Sequence, residues 1–208
     1  MKRSYDAIAG VYDILARTFI GGTLRSAQVY LVQYIPAGAK VLIVGGGTGW
    51  ILEEIARIHD QGLQIDYLDI SANMIAKARA RAIGQNKIRF IHQSAEVDFG
   101  GNDYDVILTP FFFDNFKEVT MRSIFRKLHH KLKQDGLWLY ADFQVRGKNY
   151  SFQRNMLTIM YAFFRAVCNI EASQLPDVAT QFATNGYKLI HNNTFKNEFI
   201  ISSVHKKA

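Results

Sequence analysis

The chain has 208 residues, 49% hydrophobic and 21% charged, the make-up of a globular protein large enough to bury its own core rather than of a disordered or disulfide-stapled one. Lys and Arg outnumber Asp and Glu 25 to 18, a net charge of +7, which raises the question of a polyanionic partner. The basic residues Lys77, Arg79, Arg81, Lys87 and Arg89, and then Arg122, Arg126, Lys127, Lys131 and Lys133, are spread along surfaces and not interleaved with aromatics. They read as solvated faces and not as a nucleic-acid surface.

Cys168 is the only cysteine, so no internal disulfide forms, and a reducing cytoplasm is the expected location. Lys2 and Arg3 are followed by Asp6 and Asp13, which is not the pattern of a secretory signal. No run approaches the roughly 20 apolar residues of a membrane span. One domain is expected over residues 1–208.

Tyr5, Ile8, Val11 and Tyr12 fall on one side of a first helix. Thr23 to Ile35 forms a second, with Leu24, Ala27, Leu31 and Ile35 as its apolar stripe, ended by Pro36-Ala37-Gly38. The stretch Val41-Leu42-Ile43-Val44-Gly45-Gly46-Gly47-Thr48-Gly49-Trp50 follows. A continuous apolar run reads as a strand buried on both faces, the centre of a parallel sheet. Glycines after it allow a sharp turn and close approach of a ligand, and the next helix, from Ile51, aims its free N–H groups at the same place.

Gln64 to Asp69 is the second strand, with Asp69 twenty residues past Gly49, where a carboxylate can accept from a ribose diol. Ser71 caps a helix over Ala72–Ala82. Lys87 to His92 is the third strand, leading into Gln93-Ser94-Ala95-Glu96, and Tyr104 to Leu108 is the fourth. The fourth strand runs into Thr109-Pro110-Phe111-Phe112-Phe113-Asp114-Asn115-Phe116, an aromatic cluster suited to a pocket wall, with some of its phenylalanines in the core.

A helix over Glu118–Leu132 carries His129 and His130, which point about 100° apart and cannot share a metal. No other metal-ligand spacing occurs, so no metal is expected. Lys133 to Gly136 is a turn with Gly136 at its positive-φ position, and Leu137 to Asp142 the fifth strand. Ser151 to Ile170 reads as a long aromatic and methionine-rich helix. Pro176 opens another helix and Gly186 ends it. Tyr187–Phe195 and Glu198–His205 form an antiparallel hairpin joined at Lys196-Asn197.

Glycines at Gly45, Gly47 and Gly49 with Trp50 next depart from the dinucleotide fingerprint, which wants glycine at the sixth position; this disfavours a nicotinamide oxidoreductase. The G-x-G-x-G spacing resembles motif I of the class I S-adenosylmethionine-dependent methyltransferases. The wording Tyr5-Asp6-Ala7-Ile8-Ala9-Gly10-Val11-Tyr12-Asp13 is similar to the N-terminal helix of the quinone-type and related small-molecule members, which folds over the cofactor.

The resemblance implies an α/β fold: a Rossmann-like seven-stranded sheet of order 3-2-1-4-5-7-6, the seventh strand antiparallel, helices on both faces, and residues 1–39 as a helical cover. It implies S-adenosyl-L-methionine as cofactor, held by Tyr5, Tyr12, Gly45, Gly46, Gly47, Gly49, Asp69, Ile70, Met74, Ser94, Ala95, Glu96, Thr109 and Phe111. The adenine would be read at Ala95, with Ser94, Glu96 or Asn73 beside it. From residue types alone, the aromatic cluster predicts a small apolar or aromatic acceptor, and if that acceptor is a hydroxyl or carbon acid, Asp114 and Asp142 are the base candidates.

Three departures from the family pattern stand out. Ile43 occupies the place where the family usually carries an acid that engages the cofactor's amino group, Ser94 replaces the more usual Asp, and Thr109-Pro110-Phe111-Phe112 lacks the polar-Pro-Pro-aromatic motif of base methylation. The first keeps a non-catalytic cofactor-binding or scaffold protein as the alternative function.

Overall fold

The computed structural model describes residues 21–146, 150–151, 153–158, 161 and 172–208. The first helix expected from the sequence, with Tyr5 and Tyr12, lies outside them. Helix α1 (Gly21–Val32) leads to β1 (Lys40–Val44), α2 (Trp50–Ile58), β2 (Gln61–Asp69), α3 (Ala72–Arg79) and β3 (Gln85–His92). Then come β4 (Tyr104–Pro110), α4 (Glu118–Lys131), β5 (Leu132–Phe143), α5 (Val178–Thr184), β6 (Tyr187–Phe195) and β7 (Ile200–Lys207). The described residues between 150 and 161 are helical, in line with part of the long helix expected there.

The strands form one sheet of order β3-β2-β1-β4-β5-β7-β6. β1 lies parallel between β2 and β4, β4 pairs parallel with β5, and β7 runs antiparallel to both β5 and β6. Each feature of the expected sheet is present. The β1 apolar run is buried on both sides because helices cover both: Val41 and Ile43 pack with α1 and α2 residues such as Leu31, Ile51 and Ile55. Leu42 and Val44 pack with α4 and α5 residues such as Ile124, Phe125 and Phe182. Parallel strands need this two-sided cover, and it aligns the carboxyl ends of β1, β2, β4 and β5 along one edge.

Two local expectations are corrected. In the Lys133–Gly136 turn the left-handed residue is Asp135, at φ 62°, a conformation Asp tolerates, and its carboxylate pairs with Lys206 at 2.9 Å. Gly136 serves a different need: a Cβ there would lie 2.7 Å from Leu132 Cδ1. The turn loops out within β5, whose register against β4 jumps from Tyr104↔Leu132 to Val106↔Leu137. The β6–β7 link is longer than two residues, because Phe195 pairs with Ile200. Lys196, Asn197 and Glu198 all take positive φ there, and the Phe199 N–H closes on the Lys196 carbonyl at 3.2 Å.

Candidate functional site

The glycine turn after β1 is bound into the sheet at its start, where the Gly45 N–H donates to the Leu68 carbonyl at 2.9 Å. Two of its glycines carry the argument. A Cβ on Gly46 would sit 2.4 Å from the Tyr67 ring, so the turn lies flush on that buried tyrosine, whose hydroxyl donates to the Gly47 carbonyl at 2.9 Å. Gly47 has φ +61° and open space where its Cβ would be. The backbone is therefore pressed on Tyr67 from one side and bare on the other, which is the shape of a cradle. Gly49 is the N-cap of α2, so the first turn of that helix, with its unsatisfied N–H groups, starts directly from the glycine turn.

Asp69 closes the cradle. Its Oδ2 accepts the Gly47 N–H at 3.0 Å and its Oδ1 the Ser71 N–H at 2.9 Å. It ties the turn to the start of α3, where Ser71 caps the helix by accepting from the Met74 N–H at 3.2 Å. Burial lifts the Asp69 carboxyl to about 6, although both amides favour the charged form. Each oxygen keeps acceptor capacity beyond one amide, so the fit to a vicinal diol is that of an ionised acceptor.

The sign of the pH dependence follows. A ligand whose hydroxyls need the ionised carboxylate loses affinity as pH falls through the folded pKa, by up to about tenfold per unit. S-Adenosylhomocysteine affinity is expected to be flat above neutrality and to fall below about pH 6, and Asp69→Asn to flatten that slope in calorimetry across pH.

Ile70, next to Asp69, is 37% exposed, and Met74 is buried on α3. In the turn after β3, the Ser94 hydroxyl accepts from the Glu96 N–H at 3.1 Å and lies 3.4 Å from the Glu96 carboxylate. Ala95 is buried between them.

After β4 the chain takes a strained step. Phe111 has φ 51°, costly for an aromatic residue and characteristic of sites where structure overrules preference. It is held there by its N–H on the Ala141 carbonyl at 2.7 Å and by its ring against Phe143 at 5.2 Å. The step brings Phe112 over the glycine turn: its Cδ2 lies 2.7 Å from where a Gly45 Cβ would be. Phe113 is fully buried in the core. Thr109 is also fully buried, its Oγ1 accepting from the Trp138 Nε1 at 2.9 Å. Its side chain therefore faces Trp138 inside the protein and leaves the cofactor group expected from the sequence.

Asp114 and Asp142 come together at the carboxyl ends of β4 and β5. Asp142 Oδ2 accepts the Asp114 N–H at 3.2 Å and Oδ1 accepts the Phe143 N–H at 2.9 Å. Asn115 Nδ2 donates to Asp114 Oδ1 at 2.7 Å. Burial raises both carboxyls, Asp114 to about 7, and the charge of Asp114 raises Asp142 further. The sequence did not single out Tyr67, Tyr140 or Tyr161, since a tyrosine within a buried run carries no mark of which way its hydroxyl points.

Ile43 is fully buried among α1 and α2 residues. Among the described residues no group of three or more His, Cys, Asp or Glu is placed to hold a metal, and no helix is long and apolar enough to cross a membrane.

Comparison with known proteins agrees with this geometry. The sequence model of a methyltransferase domain matches residues 41–136, which span β1 to the turn before the outer half of β5. A putative methyltransferase of Geobacillus sp. (strain WCH70) is 31% identical over 162 residues, 74% of this chain and 64% of that protein. A ubiquinone/menaquinone biosynthesis C-methyltransferase of Azotobacter vinelandii is 27% identical over 132 residues, 60% of this chain and 52% of that protein. The chain thus spans between half and two thirds of these relatives' lengths.

In fold, it superposes on the N-methyltransferase NodS from Bradyrhizobium japonicum WM9, solved in complex with S-adenosyl-L-homocysteine, with a TM-score of 0.72 at 12% identity. That match covers 99% of each chain. The cradle fits the adenosyl cofactor of this class: bare backbone at Gly47, helix N–H groups behind it, and an acid on the next strand. Residues 41–136 thus match a methyltransferase domain, and the fold is that of the class I S-adenosylmethionine-dependent methyltransferases.

Proposed function

We propose that the chain moves the methyl group of S-adenosylmethionine to a small apolar or aromatic acceptor. The observation that carries this reading is the Asp69 carboxylate bonded to the Gly47 amide beside open space. When bound, the cofactor supplies a methyl already activated by positive sulfur, which leaves alignment and a dry pocket to the protein. Gly46, Gly47 and the first turn of α2 receive the adenosyl portion, Asp69 holds the ribose, and Ile70 and Met74 flank it. Tyr5 and Tyr12 are proposed to cover it. Phe111, Phe112 and Phe143 wall the acceptor side, and Asp114 with Asp142 supplies a base.

Calorimetry on the full chain separates this from the alternatives. S-Adenosylhomocysteine is expected to bind and NADH not to. Binding of NADH alone would overturn the reading. The buried Ile43, in place of a family acid, is the feature favouring a protein that binds cofactor without turnover. Methyl transfer from labelled cofactor to any component of a cell extract counts against that version.

A further inference from the structure

A groove of about 620 Å³ is lined by α1, α2 and β6 and by none of the cradle residues. That is the volume of a small-molecule site. Its floor is low because α1 turns Gly22 and Ser26 toward it, four residues apart on one helix face. A Cβ on Gly22 would meet nothing within 4 Å.

The wall toward α2 is charged. Glu54 is 8% exposed, and its Oε1 accepts from the guanidinium of Arg25 and from that of Arg57. Burial works against its charge, but the two guanidiniums hold the carboxyl below the usual carboxylate range, so it stays ionised. Each arginine spends one nitrogen on Glu54, and both side chains remain more than half exposed. Arg25 is also held over the Trp50 ring, 5.2 Å from its centroid. The two heads are thereby fixed side by side, and two cations against one carboxylate leave one net positive charge. The wall toward β6 is largely apolar: Val29 lies beside the Tyr30 and Phe195 rings, which meet edge to face at 6.3 Å.

We infer that this groove binds a small organic monoanion, a carboxylate on an apolar or aryl body, with the carboxylate on Arg25 and Arg57 and the body on Val29, Tyr30 and Phe195. Charge and shape select the class. A carboxylate accepts from two guanidiniums at once, and its single charge matches the one left over beside Glu54. A phosphate dianion brings a second negative charge against Glu54, an ammonium meets two cations, and an inorganic anion leaves the apolar wall unused. The heads are already held in place, so little ordering is lost on binding.

The test is calorimetry of the full chain near neutral pH in about 0.15 M salt, with three probes sharing one body: 4-phenylbutyrate, 4-phenylbutanol and 4-phenylbutylammonium. The carboxylate is expected to bind at one site, about tenfold or more tighter than the alcohol or the ammonium. Arg57→Gln is expected to weaken it about tenfold and to bring the alcohol within about threefold of it. Ser26→Phe, which fills the exposed floor, is expected to abolish binding. Glu54→Gln keeps both guanidiniums and removes the competing charge, so it is expected to tighten the carboxylate about threefold or more. A gain of affinity cannot come from misfolding.

No saturable binding of 4-phenylbutyrate, or the alcohol or ammonium binding as tightly, overturns the inference. So does its displacement by an equal concentration of inorganic phosphate. Displacement by S-adenosylhomocysteine, or unchanged affinity in Arg57→Gln and Ser26→Phe, would put the probe outside the groove and overturns it too, as does weaker binding in Glu54→Gln.

Discussion

Asp69→Ala is expected to weaken S-adenosylhomocysteine binding about 100-fold, the loss of two hydrogen bonds to an ionised acceptor at roughly 1.5 kcal/mol each. The reasoning rests on position. The carboxylate is 8% exposed and already anchored through the Gly47 and Ser71 amides, so it meets a ribose pre-oriented and with little entropy left to lose. Stability is expected to respond much less, because two effects oppose each other. The alanine leaves the Gly47 and Ser71 N–H groups without an acceptor, which is destabilising. It also removes a carboxyl whose folded pKa lies above its unfolded value. A raised acid pKa means the ionised group opposes folding above about pH 6 and stops opposing it as pH falls toward the unfolded value. A variant that unfolds near neutrality as the parent does, yet has lost the ligand, identifies a binding residue and not a structural one.

Trp138→Ala is expected to have the opposite profile: a loss of about 3–5 kcal/mol in urea denaturation. Trp138 is fully buried, stacked on Phe125 at 4.6 Å and 15°, and edge-on to Phe182 at 5.3 Å. It joins β5 to α4 and α5, and its Nε1 donates to Thr109 on β4. Removing it opens a cavity where three elements meet and leaves the Thr109 hydroxyl without that donor. Trp138→Phe keeps the stacking and loses the hydrogen bond, and is expected to recover more than half of the loss. Because β5 also carries Asp142, the alanine variant is expected to loosen the acidic pair, and Asp69→Ala is not.

How far the sequence reaches depends on the kind of constraint. The glycine turn and Asp69 were legible because both lie at fixed offsets from strand ends, and backbone geometry makes those offsets rigid. The sheet order followed from the family resemblance; no spacing specifies it. Thr109 shows the limit. It lies in a strand buried on both faces from Val106 to Pro110, where no alternation marks the side. Only Trp138 on the neighbouring strand, which the β4–β5 register sets opposite Ile107 two residues before Thr109, decides it.

Asp135 and Gly136 show another limit. A turn was evident, but Leu132 decides that Gly136 is needed for space and leaves the left-handed position to Asp135. The contact of Phe112 with Gly45 depends on the unusual backbone of Phe111, and no sequence signal announces a positive φ at phenylalanine. The different hydrogen bonding of Asp114 and Asp142 emerges only from which oxygen meets which donor.

The most direct measurement is a crystal structure of the full chain grown with S-adenosylhomocysteine. Both ribose hydroxyls are expected at about 2.5–3.0 Å from the Asp69 carboxylate oxygens, with the chain between sugar and sulfur lying over Gly47. An adenosyl group lodged elsewhere, or a ribose turned away from Asp69 with the glycine turn closed over by Phe112, would contradict the account.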